Sequence, residues 1–132
     1  MKWNEGYVTD IDYTYGFYGE FDPHRAQFVL AYAGIISPKI ETACELGFGQ
    51  GISLNIYAAA TGISWFGTDF NPSQALNAKQ LSSHYEGSPR VHDDDFASFA
   101  KRDDLPQFDF ISLHGIWSWI SDQNRAIIAE FI

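Results

Sequence analysis

Apolar and polar positions change their period several times along this chain, and each change marks an element. Residues 1–21 are aromatic with no clean period. Asp22 and Pro23 then suit the cap and first turn of a helix. "HRAQFVLAYAGIIS" continues it, with Phe28, Val29, Tyr32, Ile35 and Ile36 at helical spacing and Pro38 marking its end. From there strands and helices alternate. "IETACEL" reads as a strand, and "ISLNIYAAA" as a helix opened by a glycine turn and closed by Gly62. "ISWFGTDF" is a second strand, and "SQALNAKQLSSHY" a helix capped by Asn71 and begun by Pro72. A short strand at Arg90–His92 runs into "DDD", "FDFISLHG" is a fourth strand, and Ser121 caps a last helix, "DQNRAIIAEFI". Such alternation predicts an α/β protein with parallel strands joined by right-handed crossovers. No internal repeat or low-complexity segment interrupts it.

The fourth strand is apolar on both faces, as a central strand of a parallel sheet is, yet only one helix follows it. An uncovered apolar edge is a liability. The expectation is an N-terminal part of a longer protein, or an edge completed by a second chain; the plainer alternative is a helix that covers the edge. Residues 1–38 form an arm and leading helix, and residues 39–132 the core.

Composition narrows the partners. The chain of 132 residues has a formal charge of −9, which disfavours nucleic acid because no basic patch can release counterions. No apolar run has membrane-spanning length, and the opening "MKWNEGYVTD" lacks the apolar core of a signal peptide. A single cysteine, Cys44, fits a reduced cytoplasmic setting. Of 22 aromatic residues, seven lie in the first 21 positions, which suggests an arm or lid packed on something.

The chemistry begins at "ELGFGQG", Glu45–Gly51. Gly47, Gly49 and Gly51 follow the first strand at alternate positions. The dinucleotide fingerprint G-x-G-x-x-G requires a glycine where Ile52 stands. Glu45 also places a carboxylate where a pyrophosphate would be repelled, whereas a ligand ammonium would not be. Asp69 ends the second strand, where a carboxylate in this kind of fold accepts hydrogen bonds from both ribose hydroxyls. After the third strand comes "HDDDF", where Asp95, or Asp94 beside it, is placed to accept an adenine amino proton; a solvated acidic loop is the plainer reading.

"ELGFGQG", "FGTDFNPSQ", "DDDF" and "FDFISLHG" resemble, in order and spacing, motifs one to four of the class I S-adenosylmethionine-dependent methyltransferases, over about residues 39–120. "YVTDIDYTYGFYGEFDP" and "LHGIWSWIS" further resemble bacterial methyltransferases that carry a methyltransferase regulatory domain, a group that includes protein-lysine methyltransferases. The resemblance implies a Rossmann-like, doubly wound sheet with strand order 3-2-1-4 present and the later strands missing. It implies S-adenosyl-L-methionine as cofactor and a methyl acceptor that is a protein or a small molecule. Gly47, Phe48, Gly49 and Gly51 would cradle the methionine moiety with Glu45 near its ammonium group. Asp69 would hold the ribose, and Phe70 would lie against the adenine. Asp94, Asp95 and Phe96 would bind the adenine, and His114 and Gly115 would face the sulfonium and the acceptor.

His114 is the candidate base, against a plain positioning role. Trp117 and Trp119 are either an aromatic wall or core. Tyr13 and Tyr18 are the arm residues whose hydroxyls could reach the methionine carboxylate. His24, His84 and His92 show no metal-ligand spacing. Two alternatives stay open: a non-catalytic or truncated cofactor-binding fragment, and a nicotinamide-dependent oxidoreductase.

Overall fold

A computed structural model describes residues 15–132. Four parallel strands form one sheet in the order β3-β2-β1-β4: β1 is Thr42–Leu46, β2 Ser64–Thr68, β3 Arg90–His92 and β4 Phe110–Leu113. β1 lies between β2 and β4, with Cys44 opposite both Phe66 and Ile111. Five helices join or flank them: α1 Pro23–Tyr32, α2 Ile52–Thr61, α3 Pro72–Ser82, α4 Phe96–Ala100 and α5 Asp122–Phe131.

Alternation along β1 explains the two layers, because successive side chains leave opposite faces of a strand. Ala43 joins a cluster with Leu54, Tyr57 and Ala58 of α2 and Ala75 and Ala78 of α3. Cys44 and Leu46 join a second cluster with Phe96 and Phe99 of α4 and Ile128 of α5. Both faces of the sheet are therefore covered, as the run of apolar residues in its strands requires. β4 is an edge of this sheet.

The polar starts of the helices behave as expected. Asp22, Asn71 and Ser121 accept from the backbone N–H of His24, Ser73 and Asn124. Two expectations need correction. The first helix stops at Tyr32 instead of running to Pro38, because the chain turns through Gly34 at φ 73°. Its apolar stripe is also not packed: Phe28, Val29, Tyr32, Ile35 and Ile36 are all exposed, and Pro23 is the residue of α1 that is buried. The second correction is α4. "DDDF" is not only a loop, since Asp95 accepts from Ser98 N–H at 2.7 Å and starts a helix at Phe96. Among the described residues no helix is long and apolar enough to cross a membrane.

Candidate functional site

Parallel strands put all their carboxyl ends on one edge, and the loops leaving those ends gather there. They are residues 47–51 after β1, 69–71 after β2, 93–95 after β3 and 114–121 after β4. Gly47 N–H donates to Thr68 O at 2.9 Å and Asp69 N–H to His92 O at 3.2 Å, so adjacent loops are tied at their roots.

The glycine turn has φ values of 69°, 59° and 74° at Gly47, Gly49 and Gly51. Gly51 is also the left-handed cap of α2, and a Cβ there would lie 2.4 Å from Ala78 Cβ. Its missing side chain thus serves the packing of α2 on α3. The turn is braced from behind. Asn55 donates to Gly51 O at 2.8 Å and to Ala78 O at 3.2 Å, while Asn77 donates to Gln50 O at 2.8 Å. Tyr85 OH lies 2.8 Å from Asn55 Oδ1.

Two buried carboxylates lie near one another beside this turn, and Asp69 contacts it directly. Asp69 accepts from Gly49 N–H on Oδ2 at 2.9 Å and from Asn71 N–H on Oδ1 at 3.0 Å. Burial pushes its pKa up to about 6, against the opposing pull of those two hydrogen bonds. Glu45 is 3% exposed, and its Oε2 has no hydrogen-bond partner. Burial, then the nearby Asp69, push its pKa up to about 8. A buried acid with a raised pKa beside a second buried acid marks a candidate functional site.

The pair also sets the sign of a pH effect. Both folded-state pKa values are raised, so the folded chain binds more protons than the unfolded one across the window up to about pH 8. Their contribution is full below the unfolded values and is lost as pH rises through about 6 and then 8. Asp104, held down by Arg102, and Asp109, held down by the N–H groups of Glu41 and Thr42, act oppositely in acid. Thermal melts should therefore show a higher Tm near pH 5 than near pH 9, and Glu45→Gln should flatten that slope. An equal slope in the variant would remove Glu45 as its source.

The other expected residues separate into groups. Phe48 and Phe96 are buried in the two cores. Phe70 packs against the second cluster and is half-buried. Asp94 Oδ2 pairs with Arg102 Nη1 at 2.9 Å, and its carbonyl accepts from Thr68 Oγ1 at 2.6 Å. Asp95 spends one acceptor position on capping α4. Gly115 turns the chain after β4 at φ 66°. His114 and Tyr18 do come together: their ring centroids lie 4.1 Å apart with the planes tilted by 32°, and Phe21 is edge-on to the imidazole at 5.2 Å. Tyr18 is pinned there by its N–H to Ser53 Oγ at 2.9 Å and by Tyr57 OH to its carbonyl at 2.6 Å. Tyr13 lies outside the described residues. Trp117 and Trp119 are exposed, while Ile116 and Ile120 on either side are buried. The isoleucines anchor the loop, and the indoles are not core.

Reading the sequence missed Gln74, Asn55, Asn77, Ser53 and Tyr57. Only Gln74 carried a local signal, since "NPSQ" matches a helix-capping pattern. The others act through neighbours distant in sequence.

No protein-family model matches the chain. An uncharacterised protein of Synechocystis sp. is 44% identical over 138 residues, an alignment that covers all of this chain and 27% of that protein. The structure of PKMT2 from Rickettsia typhi in complex with AdoHcy superposes with a TM-score of 0.76 at 21% identity, covering 90% of this chain and 23% of that one. The magnesium protoporphyrin IX methyltransferase from Synechocystis with bound SAM gives a TM-score of 0.55 at 20% identity, covering 82% and 50%. The chain thus spans about a quarter of the first two proteins' length. It has the Rossmann-like α/β fold of the S-adenosylmethionine-dependent methyltransferases, strand order 3-2-1-4, and corresponds to a part of them.

Proposed function

We propose that the chain is the cofactor-binding part of an S-adenosylmethionine-dependent methyltransferase. The observation that carries this reading is the pair of buried carboxylates at the glycine turn, one of them with a free oxygen. Asp69 is common to dinucleotide and sulfonium-cofactor sites, so it is Glu45 beside the turn, together with Ile52 where the dinucleotide fingerprint needs a glycine, that disfavours a nicotinamide dinucleotide. The two acids suit a ligand with an ammonium group at one end and a ribose diol in the middle.

When bound, the cofactor supplies an electrophilic methyl group on a sulfonium. The chain's own residues bind, orient and exclude water. Glu45 Oε2 would accept from the amino group, its own proton passing to solvent as the cation binds. Asp69 would accept from the ribose hydroxyls, and Phe70 would border the adenine. Asp95 is the better placed of the two acids for the adenine amino group, because Arg102 engages Asp94. Tyr18, beside His114, walls the end of β4 where an acceptor enters, and the exposed Trp117 and Trp119 extend that wall. Either indole can also attract a cationic acceptor through its ring face. A protein lysine, by analogy with the protein-lysine methyltransferase PKMT2, and a small molecule are the two acceptor classes, and a cytoplasmic location goes with either.

A second reading is a binding module without turnover. Both readings require cofactor binding. Calorimetric titration should show saturable binding of S-adenosylhomocysteine and none of NADH. The reverse preference would establish an oxidoreductase-type site instead.

A further inference from the structure

Asp69 is 6% exposed, yet its carboxylate is already fully engaged. Gly49 N–H holds Oδ2 and Asn71 N–H holds Oδ1. Gln74, in the first turn of α3, brings a third group. With its amide nitrogen turned to the carboxylate, Nε2 lies 3.1 Å from both oxygens. The opposite orientation would set an amide oxygen against two carboxylate oxygens, so donors and acceptors decide the assignment. A carboxylate offers about four lone-pair positions. The two backbone donors and the Gln74 amide, which bridges both oxygens, leave neither oxygen without a partner.

The local sequence explains why Gln74 is available. In a capping box the residue at this position reaches back to the N–H of the cap residue. Here the Asn71 N–H donates to Asp69 Oδ1 instead. The Gln74 amide is left to turn onto the same carboxylate.

We propose that Gln74 is an internal latch that occupies the ribose-diol positions of Asp69 and must swing away for a nucleoside to bind. The proposal rests on the cofactor reading above and goes beyond it. With no nucleoside present, the latch keeps a buried carboxylate satisfied, which avoids the penalty of unmade hydrogen bonds. With a nucleoside, it sets a condition: the amide that bridges both oxygens leaves, so a donor must arrive at each oxygen. A vicinal diol meets that condition, and a ligand lacking the hydroxyls does not. Gln74 is half-buried, so its side chain has solvent to move into.

The test is the affinity of the full chain and its Gln74→Ala and Gln74→Met variants for two probes. These are S-adenosylhomocysteine and the same molecule lacking both ribose hydroxyls. Methionine keeps the bulk of glutamine and removes its donors, which guards against a variant that merely folds poorly. Removing one competitor for a charged acceptor should tighten S-adenosylhomocysteine binding by roughly tenfold. The probe without hydroxyls should gain nothing. Weaker binding in the variants, or an equal change for both probes, overturns the latch while leaving the cofactor site intact. Failure of the unaltered chain to bind S-adenosylhomocysteine overturns the cofactor reading and the latch together.

Discussion

Replacing Asp69 by alanine is expected to weaken S-adenosylhomocysteine binding by about a hundredfold. A hydrogen bond to a charged group is typically worth about 1.5–3 kcal/mol net, and a ribose offers two hydroxyls to this carboxylate. The two bonds are not additive, because one acceptor group serves both, so about 3 kcal/mol is the reasonable total. Part of the loss comes through the protein. Asp69 also holds Gly49 N–H and Asn71 N–H, so the alanine variant leaves two donors of the adjoining loops without their acceptor. Calorimetry measures the affinity, and a thermal melt without ligand separates the loop effect from the direct one. Removing a buried acid whose pKa lies near 6 relieves a desolvation cost at neutral pH, which offsets some of the lost hydrogen bonding. The melting temperature should therefore move much less than the affinity. A variant that binds within threefold of the parent would refute the assignment of Asp69.

Gly51→Ala is expected to cost about 2–5 kcal/mol of folding stability. The residue sits at φ 74°, where an L side chain costs about 1–2 kcal/mol. A Cβ there would also lie 2.4 Å from Ala78 Cβ and 3.2 Å from Ala78 Cα. Neither of these can rotate away, so α3 has to shift relative to α2, and overpacking of that kind adds about 1–3 kcal/mol. The shift also strains the asparagine braces, because Asn55 spans Gly51 O and Ala78 O. Gly62→Ala is the matched control. It has φ 67° and nothing within 4 Å of its added Cβ, so it carries the backbone strain without the clash. Urea denaturation of the two variants isolates the packing contribution by difference. Equal losses would show that α2 and α3 accommodate the methyl group.

The two glycines show where local pattern stops being informative. One starts α2 and the other ends it, and both adopt the left-handed conformation. Only the approach of α3 makes one far more demanding than the other. The acids near the ends of β1 and β2 divide in a similar way. Their positions are legible, because an acid within or just after an apolar strand stands out in the pattern. That Asp69 is satisfied from three directions, and that Glu45 keeps a bare oxygen, depends on atoms contributed by other elements. "DDDF" misleads for the same reason. Its third aspartate has a capping duty that becomes visible only with the short helix α4, and its phenylalanine fills a core under α5. The leading helix fails in the other direction. Its apolar spacing predicts a buried stripe, but no described element lies over Phe28 and Tyr32, which stay exposed. Periodicity reports what a helix could bury, and burial requires a neighbour.

The sequence by itself determined the class of fold, the helix caps and the loops that gather at one edge, while the strand order was legible only through the resemblance of its motifs to a known family. The first three follow from local periodicity and from the fixed hand of strand–helix–strand connections. The tertiary structure decided which acids are buried, which carboxylate is saturated, and that Gln74 rather than solvent completes it. Those properties are set by dielectric surroundings and by hydrogen-bond partners far apart in the chain, for which no spacing rule exists.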